Sequence, residues 1–327
     1  MQRKIRAATG VLVAVSLIAA GCGSDDSSSS SAADNSSTST AQKSDFDLAA
    51  VKARVAEDEK GPTEYTGPTD KVTVAKGVNL AWIPCSQAVR GCVRPVQEAG
   101  KLAKELGWNV KSYDGKGTPK DNNGAVLQAV AGGANVILTG GVDPSFIQGG
   151  LRAAKAKGVL VASLSQYVPP DPDGYKFDIG ADYAKLGQML GDWVVVDSGG
   201  KGVLLPFRDN SFKSAVAVTE GTENAVKACP GCDVLGEQLF VATDIATKLG
   251  PRAVDILRKN PKIGYVLGSY DPAATALVPA IANAGLKDKV KVIASLGNQQ
   301  NLEYVKAGNI QEADSGFDNT YMGYMAI

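Results

Sequence analysis

From residue 78 onward, short apolar runs alternate with longer amphipathic stretches, a pattern that calls for a parallel sheet covered by helices on both faces. Strands are expected at 78–83, 108–112, 135–139 and 159–164, separated by helices at 93–106, 121–131 and 144–157. Gly107 and Gly158 stop two of these helices. The run from Tyr167 to Tyr175 contains Pro169, Pro170 and Pro172, which suits neither a helix nor a central strand, so it reads as a connection. A second set follows in the same order, with helices at 183–196, 212–228, 245–259 and 272–284 and strands at 202–205, 234–240, 263–267 and 290–294. The fold class is therefore α/β, as two doubly wound parallel-sheet lobes.

What precedes residue 78 is of a different kind. Arg3, Lys4 and Arg6 form a basic leader, and the apolar run 11–20 is too short to span a bilayer as a finished helix, which marks a signal peptide over 1–21. Ala19, Ala20 and Gly21 lead into Cys22, a run that resembles the bacterial lipobox, in which the cysteine is lipidated and becomes the mature N-terminus. The following stretch is dominated by Ser, Thr, Ala and Asp with almost nothing apolar to bury, so 22–75 is expected to be a flexible tether with a reach of ~40 Å. A lipid anchor on a tether implies an extracytoplasmic protein held at the cell membrane, with a partner at its surface.

The charges balance at 34 basic against 34 acidic residues and neither sign clusters, so no nucleic-acid partner is expected. The chain has no His, which removes His-based acid/base chemistry, Ser-His triads and His metal ligands together. No G-x-G-x-x-G follows the first strand and no G-x-x-x-x-G-K-[ST] occurs. Neither an enzyme, a cofactor nor a metal is expected.

The chain resembles the type I periplasmic binding proteins of the ribose- and galactose-binding kind, the substrate-binding lipoproteins of ABC transporters. The resemblance runs from about Val78 to the end. It is carried by Ala103-Lys-Glu-Leu-Gly-Trp-Asn-Val110, Ala131-Gly-Gly-Ala-Asn-Val-Ile-Leu138, Ala153-Ala-Lys-Ala-Lys-Gly-Val159, Asp182-Tyr-Ala-Lys-Leu-Gly187 and Asn301-Leu-Glu-Tyr-Val-Lys-Ala-Gly308, in that order. It implies a multi-crossing hinge, with the chain leaving the first lobe near Gly180 and returning near Gly316. Lobe 1 is then 76–180 plus 316–327, and lobe 2 is 181–315. The family adds a last helix and strand, and Ile327 falls inside what reads as that helix, so the C-terminal end reads as truncated. The implied function is a monomeric receptor that closes on a small polar solute, a sugar or sugar-like molecule, and docks on a membrane permease. The alternative is a sensing lipoprotein that docks on a signalling receptor.

A cleft at the carboxyl ends of the strands would be walled by the loops that follow them. Those loops supply Ser86, Gln87, Arg90, Asp143 and Gln166 from the first lobe, and Arg208, Asp209, Phe212, Tyr270, Asp271 and Asn298 from the second. Arg90 and Arg208 offer forked donors, and Phe212 and Tyr270 offer stacking faces. Arg90, Gln166, Arg208 and Tyr270 are expected to touch one ligand. Asp143 and Asp271, each before a proline, also suit helix N-caps. Sugar-binding relatives carry aromatics in the first loop, an Asp-Arg pair after the fourth strand, an Arg on the helix after the second lobe's first full strand and an Asp before a late Gly. Here the first loop has no aromatic, Ser165 and Gln166 replace the pair, and Val218 and Leu296 take the other two places.

With Cys22 lipidated, four cysteines remain for an oxidising compartment, and the local pairings are Cys85 with Cys92 and Cys229 with Cys232. A thioredoxin-like role for Cys229 and Cys232 would need the first Cys at a helix N-terminus, whereas the expected helix ends before it.

Overall fold

The computed structural model describes residues 46–61, 67, 69–308 and 310–327. The expected signal peptide, Cys22 and the first part of the tether lie outside the described residues. The tether reading needs correction further on, because helix α1 (Leu48–Asp58) is folded and packed. Asp47 caps it by accepting from the Ala49 amide at 2.8 Å, and Val51 and Val55, one turn apart, are buried on its inner face. Arg54 lies beside that stripe and reaches Asp192 with two hydrogen bonds of 3.0 and 3.1 Å. Asp192 is buried, so this pair carries more weight than an exposed one. The stretch before the first strand is also held, since Trp108 donates its Nε1–H to the Ala75 carbonyl at 2.8 Å and Asn135 donates to Gly77.

The first sheet contains β1 (Asn79–Pro84), β2 (Asn109–Ser112), β3 (Val136–Gly140), β4 (Leu160–Leu164) and β5 (Asp178–Ile179), all parallel, in the order β2-β1-β3-β4-β5. Helices α2 (Arg90–Glu105), α3 (Pro119–Ala131) and α4 (Gln148–Ala156) connect its strands. The register sets Pro84 opposite Gly140 and Gly140 opposite Leu164, so three strands end at one level. Strand β5 emerges from the end of the proline-rich connection because Phe177 and Ile179 accept ladder bonds from Ser163 and Ser165.

From Gly180 the chain enters the second sheet. Its strands β6 (Val203–Asp209), β7 (Asp233–Val234), β8 (Gln238–Phe240), β9 (Tyr265–Gly268), β10 (Lys291–Leu296) and β11 (Gln311–Gly316) run parallel in the order β11-β10-β9-β6-β7, with β8 also on β6. The covering helices are α5 (Tyr183–Asp197), α6 (Lys213–Lys227), α7 (Gly250–Lys259), α8 (Asp271–Asn283) and α9 (Gln299–Ala307). Helix α10 (Asn319–Met325) then packs on α2 of the first sheet. The α/β class with two parallel sheets agrees with the sequence expectation.

Three boundaries differ from it. The helix expected at 144–157 begins as a 3-10 turn, Pro144–Ile147, before α4. The helix expected at 245–259 opens with a wide turn at Ile245–Leu249. The strand expected at 234–240 is split into β7 and β8 around Gly236. Each sheet packs its strands against helices in an aliphatic core, with Ile83 and Ile137 against Val126 and Ile147 in one and Leu205, Val266 and Val292 against Leu277 in the other. Helices α5 and α6 cross at backbone contact, since a Cβ on Gly187 would lie 2.1 Å from the Val218 carbonyl. This approach brings Tyr183 and Val218 towards the same point.

Candidate ligand cleft

Because strands of both sheets end facing one another, the residues just past those ends meet. They line a half-open cavity of about 50 Å³. Val89, Gly91, Cys92, Gly141 and Ser165 form its first-lobe wall. Across it stand Phe212, Val218, Ser269, Tyr270, Ser295 and Leu296, with Tyr183 at the crossing between the lobes. The first wall is stapled, since Cys85 and Cys92 are joined with their Cα atoms 5.6 Å apart and Cys92 faces the cavity. Cys229 and Cys232 are joined as well, beyond the last turn of α6 and remote from this lining. Among the described residues no group of His, Cys, Asp or Glu could hold a metal ion.

The aromatic faces of the second lobe are fixed from behind. Tyr270 donates its hydroxyl to Asp209 at 2.8 Å, and Asp209 also accepts from the Ser211 amide at 2.8 Å. Burial, then the Asp209 charge, raises the Tyr270 phenol far above its ordinary range, so it remains a donor. Phe212 meets the Tyr270 ring edge-on at 5.8 Å. Tyr183 is fully buried, near Ser165, and its hydroxyl makes no well-formed hydrogen bond; burial raises its pKa.

Of the residues singled out from sequence, Phe212 and Tyr270 line the cavity, and Asp209 supports Tyr270. Gln166 and Asp143 form a buried layer behind Ser165, with Gln166 donating to Asp143 at 3.5 Å while Asp143 caps the turn at Ser145. Ser86 and Gln87 sit in the stapled loop, where the Ser86 hydroxyl accepts from Ala88 and the Gln87 amide donates to Asp114. Asp271 opens α8, and its carboxyl group accepts from the Asn298 amide at 2.5 Å. Asp314 lies beside it, accepting from Gly297 and Gln311. Burial and the Asp314 charge push Asp271 well above the usual carboxylate range, and burial raises Asp314 as well.

The structure does not bring Arg90, Gln166, Arg208 and Tyr270 to one point, a correction to the expectation. Arg208 turns outward from β6, against Glu237 at 2.7 Å, because Phe207 and Asp209 on either side take the buried positions. Arg90 is exposed and lines a separate open groove of about 1130 Å³ between α2 and α9, with Arg94, Lys101, Asn298 and Lys306. The residues missed are the serines Ser165, Ser269 and Ser295, each at or just past the end of its strand, and the larger Tyr183, Val218 and Leu296. A serine recurring at that place was the available signal.

The Periplasmic binding protein domain family matches residues 81–327. The chain belongs to this family. The galactofuranose-binding protein YtfQ of Escherichia coli (strain K12) is 24% identical over 192 residues, which cover 57% of this chain and 59% of that relative's length. Two solved structures share the fold. The Caulobacter myo-inositol binding protein bound to myo-inositol has a TM-score of 0.69 at 20% identity, over 77% of this chain and 86% of the other. An Agrobacterium vitis ABC transporter solute binding protein with bound allitol has 0.68 at 18% identity, over 77% and 88%.

Proposed function

We propose that this chain is the extracytoplasmic solute receptor of an ABC importer and binds an uncharged sugar or sugar-like solute between its lobes. The observation that carries this reading is the cavity lined from the carboxyl ends of both sheets, in a chain of this family. The relatives named for galactofuranose, myo-inositol and allitol support a neutral, oxygen-rich solute. In this proposal the lobes are 76–180 plus 316–327 and 181–315, and they turn about the crossings at Gly180 and Gly316. Tyr183 and Phe317, ring edge to ring face at 5.5 Å beside those crossings, act as the pivot. A solute touching both walls favours the closed form, and that form docks on the permease. The receptor is a monomer held at the membrane by a lipid on Cys22, and it catalyses nothing.

Two measurements test this. A thermal-shift screen of the purified protein against neutral sugars and polyols should raise the melting temperature, because a ligand binding only the folded state stabilises it. Small-angle scattering with the hit should show compaction. A screen without a hit, or a hit without compaction, would contradict the proposal. The Cys22→Ser variant should leave the membrane fraction; its retention with the leader cleaved would disprove the anchor.

A further inference from the structure

The cavity has six hydroxyl groups on its lining and no charged side chain. Most of those hydroxyl protons are already spent inside the protein. Ser269 donates to the Phe207 carbonyl, Ser295 to the Ser315 carbonyl and Tyr270 to Asp209. Ser165 points its proton at the Met322 sulfur. Of the six, Tyr183 has no well-formed hydrogen bond by geometry, although Ser165 and the Ala181 backbone lie beside its hydroxyl, and Ser214 lines the cavity as well, which leaves few free donors and a few weak acceptors. A hexose entering this space would bring a hydroxyl on nearly every carbon, each of which both donates and accepts. Hydroxyls that lose water without finding a partner weaken binding by tenfold or more apiece.

Carbon fills the rest of the wall. Leu296 is the decisive residue, since its backbone holds φ at 130°, a conformation that favours glycine and is strained for leucine. From there its side chain reaches across the cleft, and a Cβ on Gly91 would lie 3.2 Å from the Leu296 Cδ1. An apolar side chain kept in a strained conformation at the centre of a cleft is a feature the fold itself does not need, because Gly would be easier there. Val218 and Phe212 extend the same apolar surface.

We infer that the cleft selects a small uncharged ligand with oxygens along one edge and bare carbon along the other, the chemistry of a deoxy sugar or deoxy polyol. Leu296 and Val218 contact the carbon edge, and the hydroxyls of Tyr183 and Ser214 hold the oxygen edge. This rests on the solute-receptor reading and narrows it.

The test is calorimetry of the purified protein with matched pairs that differ by one hydroxyl: D-fucose with D-galactose, L-rhamnose with L-mannose, and 1,2-propanediol with glycerol. The deoxy member should bind at least tenfold tighter in one pair or more. Leu296→Gly, which relieves the backbone, should bring that preference to within about threefold, since half a leucine's burial is worth about one factor of ten. Val218→Thr, nearly equal in shape, should shift preference towards the hydroxylated member and covers the case in which the first variant does not fold. If the hydroxylated member binds as well in every pair, the inference fails while the receptor reading stands; if L-glutamate or glucose 6-phosphate binds instead, the inference and the uncharged-solute reading fail together. If a folded protein binds none of these and no other neutral sugar, both fail. A tenfold preference unmoved by either substitution would also overturn the assignment of Leu296 and Val218.

Discussion

The small cavity and the large groove beside it are neighbours with opposite chemistry. The cavity is carbon and hydroxyl, whereas the groove is lined by Arg90, Arg94, Lys101 and Lys306 with the amides of Asn298, Gln299 and Gln300. Pro272 lines both, so one residue's width separates them. The difference follows from solvation. Long cations can stay wet in a groove of about 1130 Å³, but a space of about 50 Å³ cannot hydrate one, and an unpaired charge there would be strongly disfavoured. The two arginines expected from the sequence therefore ended in the groove or against Glu237, and residues of little polar reach form most of the cavity.

The harshest challenge to this contrast is a charge in each place. Val218→Asp, on the cavity wall, should cost about 3 kcal/mol of folding stability and lower the melting temperature by roughly 10 °C. Gln300→Asp, in the groove, should change stability by no more than about 0.5 kcal/mol. Comparable losses in both variants would show that the cavity is wet and the distinction false.

A smaller effect is expected at Tyr183, whose buried hydroxyl makes no well-formed hydrogen bond. Tyr183→Phe should weaken binding of whatever neutral solute is found by about tenfold, while the melting temperature without ligand holds or rises, because the removed hydroxyl has no good partner. Unchanged affinity would remove Tyr183 from the ligand's contacts.

The acid pair under the seam sharpens the comparison by titration. Asp271 is raised in the fold, so its contribution to stability is full below the ordinary carboxylate range near ~4 and declines as pH rises through the folded value. Melting temperature should fall from pH 5 to pH 8 on this account. Asp271→Asn removes the buried charge and can still accept from Asn298, so it should raise the melting temperature at pH 8 by about 3 °C and flatten the slope. An unaltered slope in that variant would place the pH dependence elsewhere. The smallest effect is at Arg90, where alanine should leave solute affinity within about twofold; a loss of tenfold would make the groove part of the binding site.

Much of this architecture was legible before any coordinates. Apolar runs such as Val161 to Leu164 or Val292 to Ala294 are long enough to be buried strands, and glycines such as Gly107 and Gly158 end their helices whatever lies around them. The two short-range disulfides were legible too, because their loops are small and need no distant partner. Helix α1 was not, since Val51 and Val55 make a narrow apolar stripe whose meaning depends on Val195 and Asp192, far along the chain. The cleft divides the same way. Local sequence determined which loops surround it, because strand ends follow from periodicity. Tertiary structure alone decided which side chains enter it: Arg208 faces Glu237 instead of the cavity, and Leu296 meets Gly91, because neighbouring burial and the approach of two sheets set those directions. No single stretch of sequence contains both partners of either contact.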